Sequence, residues 1–266
     1  MRNKFGLLAF SGFILFGYHV SAQDTLLAKT RLSYQFDFFD ESLPNWNTGE
    51  IEFTFVKDSF TVLPRVTLTR RFETNGALFE ADVYKTFKNG DYINFGLGYS
   101  PVILFPRTKA NFEYYNPFAK SWEYSLGIRI LTFEEAGLVG VGTASLSRYY
   151  GSFLTILRAN VAYGVDARGF NGMGGVVTHR YYIGDVEYLG AFASFGYDAS
   201  LIAVTENLNF GESPNQVSAG LIYLTETKSR RQFEFGYYWT RFNFSDRSRN
   251  QHTLRVSIMQ HRVGRS

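Results

Sequence analysis

The sequence predicts an all-β protein: a closed antiparallel transmembrane β-barrel of about fourteen strands, with twelve as the alternative count. Three observations lead there. The N-terminus carries an export leader. From residue 29 onward apolar and polar residues alternate with a period of two. The connections between alternating segments are short and long in turn. Composition agrees: 266 residues hold 27 Phe, 18 Tyr and 3 Trp, with 25 Gly and only 6 Pro. A formal net charge of +3 gives no basis for a nucleic-acid partner. Cysteine is absent, which excludes disulfides, zinc–cysteine sites, a thiol nucleophile and a lipidated N-terminal cysteine.

The leader comes first. Arg2 and Lys4 form a positive start, Phe5 to Gly17 is apolar, and Val20-Ser21-Ala22 offers the small residues of a cleavage site. The apolar stretch is about 13 residues, short of the roughly 20 that a spanning helix needs. Residues 1–22 are therefore expected to be a signal peptide, and 23–266 a single outer-membrane barrel domain.

The segments follow in order. The first, 29–39, ends at a polar link, Asp40 to Thr48. The second, 49–56, turns at Lys57-Asp58-Ser59 into the third, 61–71. The fourth, 77–87, meets Asn89-Gly90, a two-residue hairpin signal in which both positions tolerate positive φ. In the fifth, 92–100, Ile93, Phe95, Leu97 and Tyr99 oppose Asn94, Gly96, Gly98 and Ser100. Pro101 and Pro106 bracket an apolar loop tip, expected to fold over the mouth or dip into the outer leaflet. The sixth, 107–115, leads to the seventh, 121–131. There Trp122, Tyr124, Leu126, Ile128 and Ile130 oppose Glu123, Ser125, Gly127 and Arg129. Gly and Ser blur the eighth, 139–149, and the tenth, 175–183, on either side of the ninth, 153–163. The eleventh, 188–197, and twelfth, 215–224, flank a long connection. The thirteenth, 231–242, sets Phe233, Phe235, Tyr237 and Trp239 against Gln232, Glu234, Gly236 and Tyr238, and 251–262 completes the set. Most segments have the 9 to 11 residues that a tilted strand needs to cross a bilayer.

A soluble sandwich also alternates, so a secreted soluble β domain is the competing architecture. Three features favour the barrel: the leader, the unequal connections, and aromatic residues at strand ends. Those are Phe36, Phe38, Tyr92, Tyr99, Trp122, Tyr197, Tyr237 and Trp239, as a membrane-interface girdle requires. Only a closed barrel satisfies every strand N–H and C=O in lipid.

From Leu78 to Tyr182 an ordered set of short strings occurs. They are Phe79-Glu80-Ala81-Asp82-Val83-Tyr84, Gly98-Tyr99-Ser100-Pro101, Leu104-Phe105-Pro106, and Ser125-Leu126-Gly127-Ile128-Arg129. Ser145-Leu146-Ser147-Arg148-Tyr149-Tyr150-Gly151, Leu157-Arg158, His179-Arg180-Tyr181-Tyr182 and Gly184-Asp185 follow. The set resembles the YaiO family of outer-membrane β-barrel proteins. The resemblance implies an outer-membrane barrel often found beside glycosyltransferase-type domains or genes, with no established chemistry. Its implied partners are outer-membrane lipid, the barrel-assembly machinery, and glycan or glycosyltransferase partners. Barrels of this kind commonly finish on an aromatic residue, whereas this chain finishes Arg262-Val263-Gly264-Arg265-Ser266.

The polar face carries both signs: Glu50, Glu52, Glu80, Asp82, Glu113, Glu123 and Glu234 against Arg31, Arg65, Lys109, Arg129, Arg158, Arg180 and Arg255. The plain reading is a salt-bridged interior, since charge costs far less there than facing lipid. The sharper reading is a selective pore or saccharide path, with Tyr84, Tyr115, Tyr149 and Tyr238 stacking on sugar rings. No cofactor is expected. His179, His252 and His261 lack metal-ligand spacing. His252 with Ser257, or the paired carboxylates Glu80 and Asp82, would belong to a barrel enzyme acting on lipid or glycan, the alternative function. A scaffold or conduit linked to surface saccharide export or display is the expected role, rather than an enzyme.

Overall fold

The structure is a computed structural model that describes residues 27–40, 43–71, 73–134, 137–164, 171–197, 215–244 and 247–262. The proposed signal peptide lies outside these residues. Fourteen strands form one closed antiparallel barrel in which each strand pairs with its sequence neighbours and the last pairs with the first. They are β1 (Leu27–Phe39), β2 (Trp46–Lys57), β3 (Phe60–Arg71), β4 (Thr74–Thr86), β5 (Tyr92–Tyr99), β6 (Thr108–Ala119) and β7 (Trp122–Phe133). Then come β8 (Gly137–Tyr150), β9 (Phe153–Gly164), β10 (Asn171–Tyr182), β11 (Tyr188–Gly196), β12 (Asn215–Glu226), β13 (Arg231–Asn243) and β14 (Ser248–Arg262).

Every expected segment is a strand, including the two that glycine blurred. β8 shows why the blur arose. Val139 and Val141 point inward and Gly140 and Gly142 outward, so the loop-end half inverts the usual pattern. The link after β1 is shorter than expected, because pairing of Trp46 with Asp37 begins β2 early. The Asn89-Gly90 turn departs from the two-positive-φ hairpin. Only Gly90 takes positive φ (93°), with Gly90 N–H donating to Phe87 O and Phe87 N–H to Asp91 O.

The outward face is apolar and exposed: Phe95 45%, Leu126 56%, Ile128 53% and Phe235 47%. In lipid that exposure carries no penalty, and it excludes a sandwich with these residues in its core. Two residues assigned to the girdle turn inward instead. Tyr92 sits opposite Tyr115 in register, and the rings stack at 4.4 Å. Tyr197 follows Gly196, whose φ of 103° turns the chain so that Tyr197 packs against the buried Leu131–Val139 cluster.

Strand number then bears on what fills the centre. Eight-stranded barrels are filled by side chains, whereas sixteen or more strands leave a channel. With fourteen, occupancy depends on which residues point in.

Candidate functional site: a layered lumen

At the loop end the inward residues are apolar. Leu131, Phe133, Val139, Val141 and Ala162 form one buried cluster. On the opposite wall Arg71 lies between Trp46 (4.9 Å) and Phe105 (5.7 Å). Phe105 belongs to the Pro101–Pro106 tip, so this loop folds inward over the mouth. Leu104 is 1% exposed and is seated against Gly76, where a Cβ would come within 3.1 Å. Asp37, fully buried nearby, accepts bonds from Gln35, Gln251 and Thr253.

A girdle of opposed charges crosses the middle. Arg31 reaches across β14 to Glu234 (2.6 Å), and Arg255 faces Glu50 (3.4 Å). Arg65 meets Glu52 (3.3 Å), Glu80 (3.0 Å) and Asp82 (3.4 Å). Lys109 on β6 reaches over β5 to Glu80 on β4 (2.5 Å). That span is open because β5 places Gly98 between the two in register, where a Cβ would lie 3.2 Å from Glu80 and 3.3 Å from Lys109. Gly96 stands likewise between Asp82 and Asn111. Arg158 holds Glu113, which also accepts from Ser125. Such pairs keep charge inside a partly dry wall at tolerable cost, since each desolvated group finds its counter-charge.

The turn end is ringed by tyrosine. Tyr84, Tyr92, Tyr115, Tyr149, Tyr182 and Tyr188 all occupy inward register positions. Tyr149 is half exposed, and Arg180 lies 5.0 Å over the Tyr188 ring. Tyr238 sits nearer mid-height, 5.5 Å from Phe192.

Parity thus places Glu80, Asp82, Tyr84, Glu113, Tyr115, Glu123, Arg129, Tyr149, Arg158, Arg180, Glu234 and Tyr238 on the lumen side. The structure brings Asp82, Tyr84, Glu113, Tyr115, Arg129 and Arg158 to one cavity of about 210 Å³. Tyr149 and Arg180 lie toward the turn end, and Glu234 and Tyr238 on the far wall. Tyr92, Tyr182, Tyr188 and Phe192 also line the lumen, and counting alternate residues from each turn identifies them.

Two rim carboxylates are tuned by hydrogen bonds. Glu187, between β10 and β11, accepts from the Thr225 hydroxyl (2.5 Å) and Glu226 N–H (3.1 Å), which lowers its pKa. Asp40, at the other end, accepts from Asn250 and contacts His252 at 3.0 Å, and its pKa falls too.

His252 and Ser257 form no dyad. Five residues apart on one strand, they face opposite sides: His252 outward against Phe38, Ser257 fully buried inside. Glu80 and Asp82 both engage Arg65. Among the described residues no group of three acidic or histidine side chains is placed to hold a metal.

Comparison with known proteins follows the same lines. The chain matches the YaiO membrane beta barrel domain over residues 28–201. No curated protein matches it in sequence. Solved structures of similar fold include the CymD monoaromatic hydrocarbon channel, 8% identical with a TM-score of 0.60 over 91% of this chain and 90% of that one. A bacterial polysaccharide outer membrane secretin is 8% identical with a TM-score of 0.54 over 90% of this chain and 99% of that one. A loop L8 deletion mutant of OmpT from Vibrio cholerae is 10% identical with a TM-score of 0.52 over 89% and 99%. At such identities the likeness is one of fold.

Proposed function

The chain belongs to the YaiO membrane beta barrel family and is an outer-membrane protein; from that premise we propose that its lumen handles saccharide, as a scaffold or conduit for surface glycan export or display. The carrying observation is the inward tyrosine ring at the turn end, set directly below a girdle of carboxylates and guanidinium groups. Sugars present an apolar C–H face and a rim of hydroxyls. Aromatic faces suit the first, and charged hydrogen-bonding groups the second. A purely structural interior has no need of so many partly exposed tyrosines, because buried apolar residues fill space at lower polar cost. The polysaccharide secretin among the fold neighbours, and the company that YaiO-like barrels keep with glycosyltransferase-type domains or genes, support the same reading. Glycosyltransferase partners would then supply the glycan, and the barrel-assembly machinery would insert the chain.

Planar-bilayer recording tests it. Neutral oligosaccharide should produce concentration-dependent interruptions of conductance, and Tyr92→Ala with Tyr115→Ala should weaken them. A barrel with no conductance and no sugar binding would remove the proposal.

A further inference from the structure

Resting on the saccharide reading above, we propose that the cavity beside Arg129 is a subsite for the carboxylate of an acidic sugar unit. The cavity holds about 210 Å³, enough for roughly seven waters at about 30 Å³ each. Its charged lining consists of Lys109, Arg129 and Arg158 against Asp82 and Glu113. Each charge but one has its partner: Lys109 with Glu80, Arg158 with Glu113, Asp82 with Arg65. Among the described residues Arg129 has no ion pair and no hydrogen bond. It faces Asn111 across the β6–β7 ladder, and Asn111 donates to Asn94 instead.

Asn94 and Thr143 belong to the same lining, but their unpartnered atoms, Nδ2 and Oγ1, are sealed from the cavity, which leaves Arg129 as its unpaired charge. An unpaired guanidinium bordering a cavity calls for an anion that bonds it. The guanidinium fork matches a carboxylate in two parallel hydrogen bonds. The charge of the lining selects among anions. Its surplus is a single positive charge, on Arg129, so one negative charge is neutralised. A doubly charged phosphate would instead bring excess charge against Asp82 and Glu113. Binding breaks no existing ion pair.

The experiment compares a neutral oligosaccharide with a glucuronate-containing one of equal length, titrated by calorimetry into the full barrel in lipid nanodiscs. Wild type should prefer the acidic sugar about ten-fold at low salt, the scale of one charge-assisted hydrogen bond. The preference should shrink as salt rises. Arg129→Gln should lose the preference and bind both sugars equally, and Arg129→Lys should keep part of the preference. Heat-modifiable migration on gels verifies that each variant is folded. Equal binding of both sugars by wild type overturns the subsite and leaves the saccharide reading standing. Unchanged acidic preference in Arg129→Gln overturns it as well. Inorganic phosphate that displaces the acidic sugar as well as free glucuronate does would reduce it to a general anion site and overturn the sugar assignment. Binding of neither sugar to folded barrel ends both.

Discussion

Arg158 grips Glu113 with both terminal nitrogens, Nη2 to Oε1 at 2.8 Å and Nη1 to Oε2 at 3.3 Å, across the lumen wall from β9 to β6. The bidentate geometry fixes one wall of the cavity. Arg158→Met leaves Glu113 with the Ser125 hydroxyl alone and should cost about 1–3 kcal/mol, read as a lower urea midpoint. Adding Glu113→Gln removes the stranded charge and should recover part of that loss. A double variant no better than the single one would show that the carboxylate was never stranded.

Glycines in the wall are not equivalent. At Gly220 a Cβ would lie 2.9 Å from Tyr237 O and against the Phe192 and Tyr238 rings. Gly220→Ala should therefore destabilise by about 1–3 kcal/mol, an overpacking cost. At Gly49 nothing lies within 4 Å, so Gly49→Ala should be neutral or stabilising by up to about 1 kcal/mol. Equal midpoints for the two variants would count against the packing of the far wall.

The β12–β13 turn stores strain. Arg230 takes φ of 57° with its N–H donating to Thr227 O. A side chain in that region costs roughly 1–2 kcal/mol. Arg230→Gly should stabilise by up to about 1 kcal/mol after the glycine's own entropy cost, read as a higher urea midpoint.

Which face meets lipid is open to direct test. Ile128→Arg places a charge on the outward face and should destabilise the folded barrel by roughly 2–4 kcal/mol at mid-depth, read as a lower folding yield in vesicles. Ser145→Arg on the inward face should leave most of the yield intact. The opposite ranking would invert the barrel.

Acid acts at the turn rim. The Glu187 carboxylate accepts two bonds in the folded state, so its pKa there is below its ordinary value near 4.3. The unfolded chain binds the proton first. The stabilisation is thus fully present above that ordinary value and is lost as pH falls through the lower, folded one. The stability difference between wild type and Glu187→Gln should be flat from neutral pH to about pH 5 and close on further acidification. A difference independent of pH would place the effect elsewhere.

How far such features were legible depended on range. β7 and β13 were plain, because Leu126, Ile128, Phe235 and Tyr237 alternate strictly with Ser125, Gly127, Glu234 and Gly236. Tyr92 was also within reach, since it shares parity with Asn94 and Gly96, yet its place at a strand end suggested a girdle. Tyr197 was not. Its inward turn depends on the positive φ of Gly196 and on the hydrogen bond from its N–H to Met173 O, a contact between distant parts of the chain. The solitary state of Arg129 was equally hidden. Composition showed matched signs on the polar face, but only the register reveals that Lys109 passes over Gly98 to Glu80 and leaves Arg129 out.

The seam between β1 and β14 sets an order in time. Arg31 and Glu234, 203 residues apart, meet only when the first strand finds the last two. Before that moment two unpaired borders exist, and neither tolerates hydrocarbon. Partial wall is therefore of no use during biogenesis. The first-made strand has to be kept wet, or lent a temporary neighbour, until synthesis has delivered the final one.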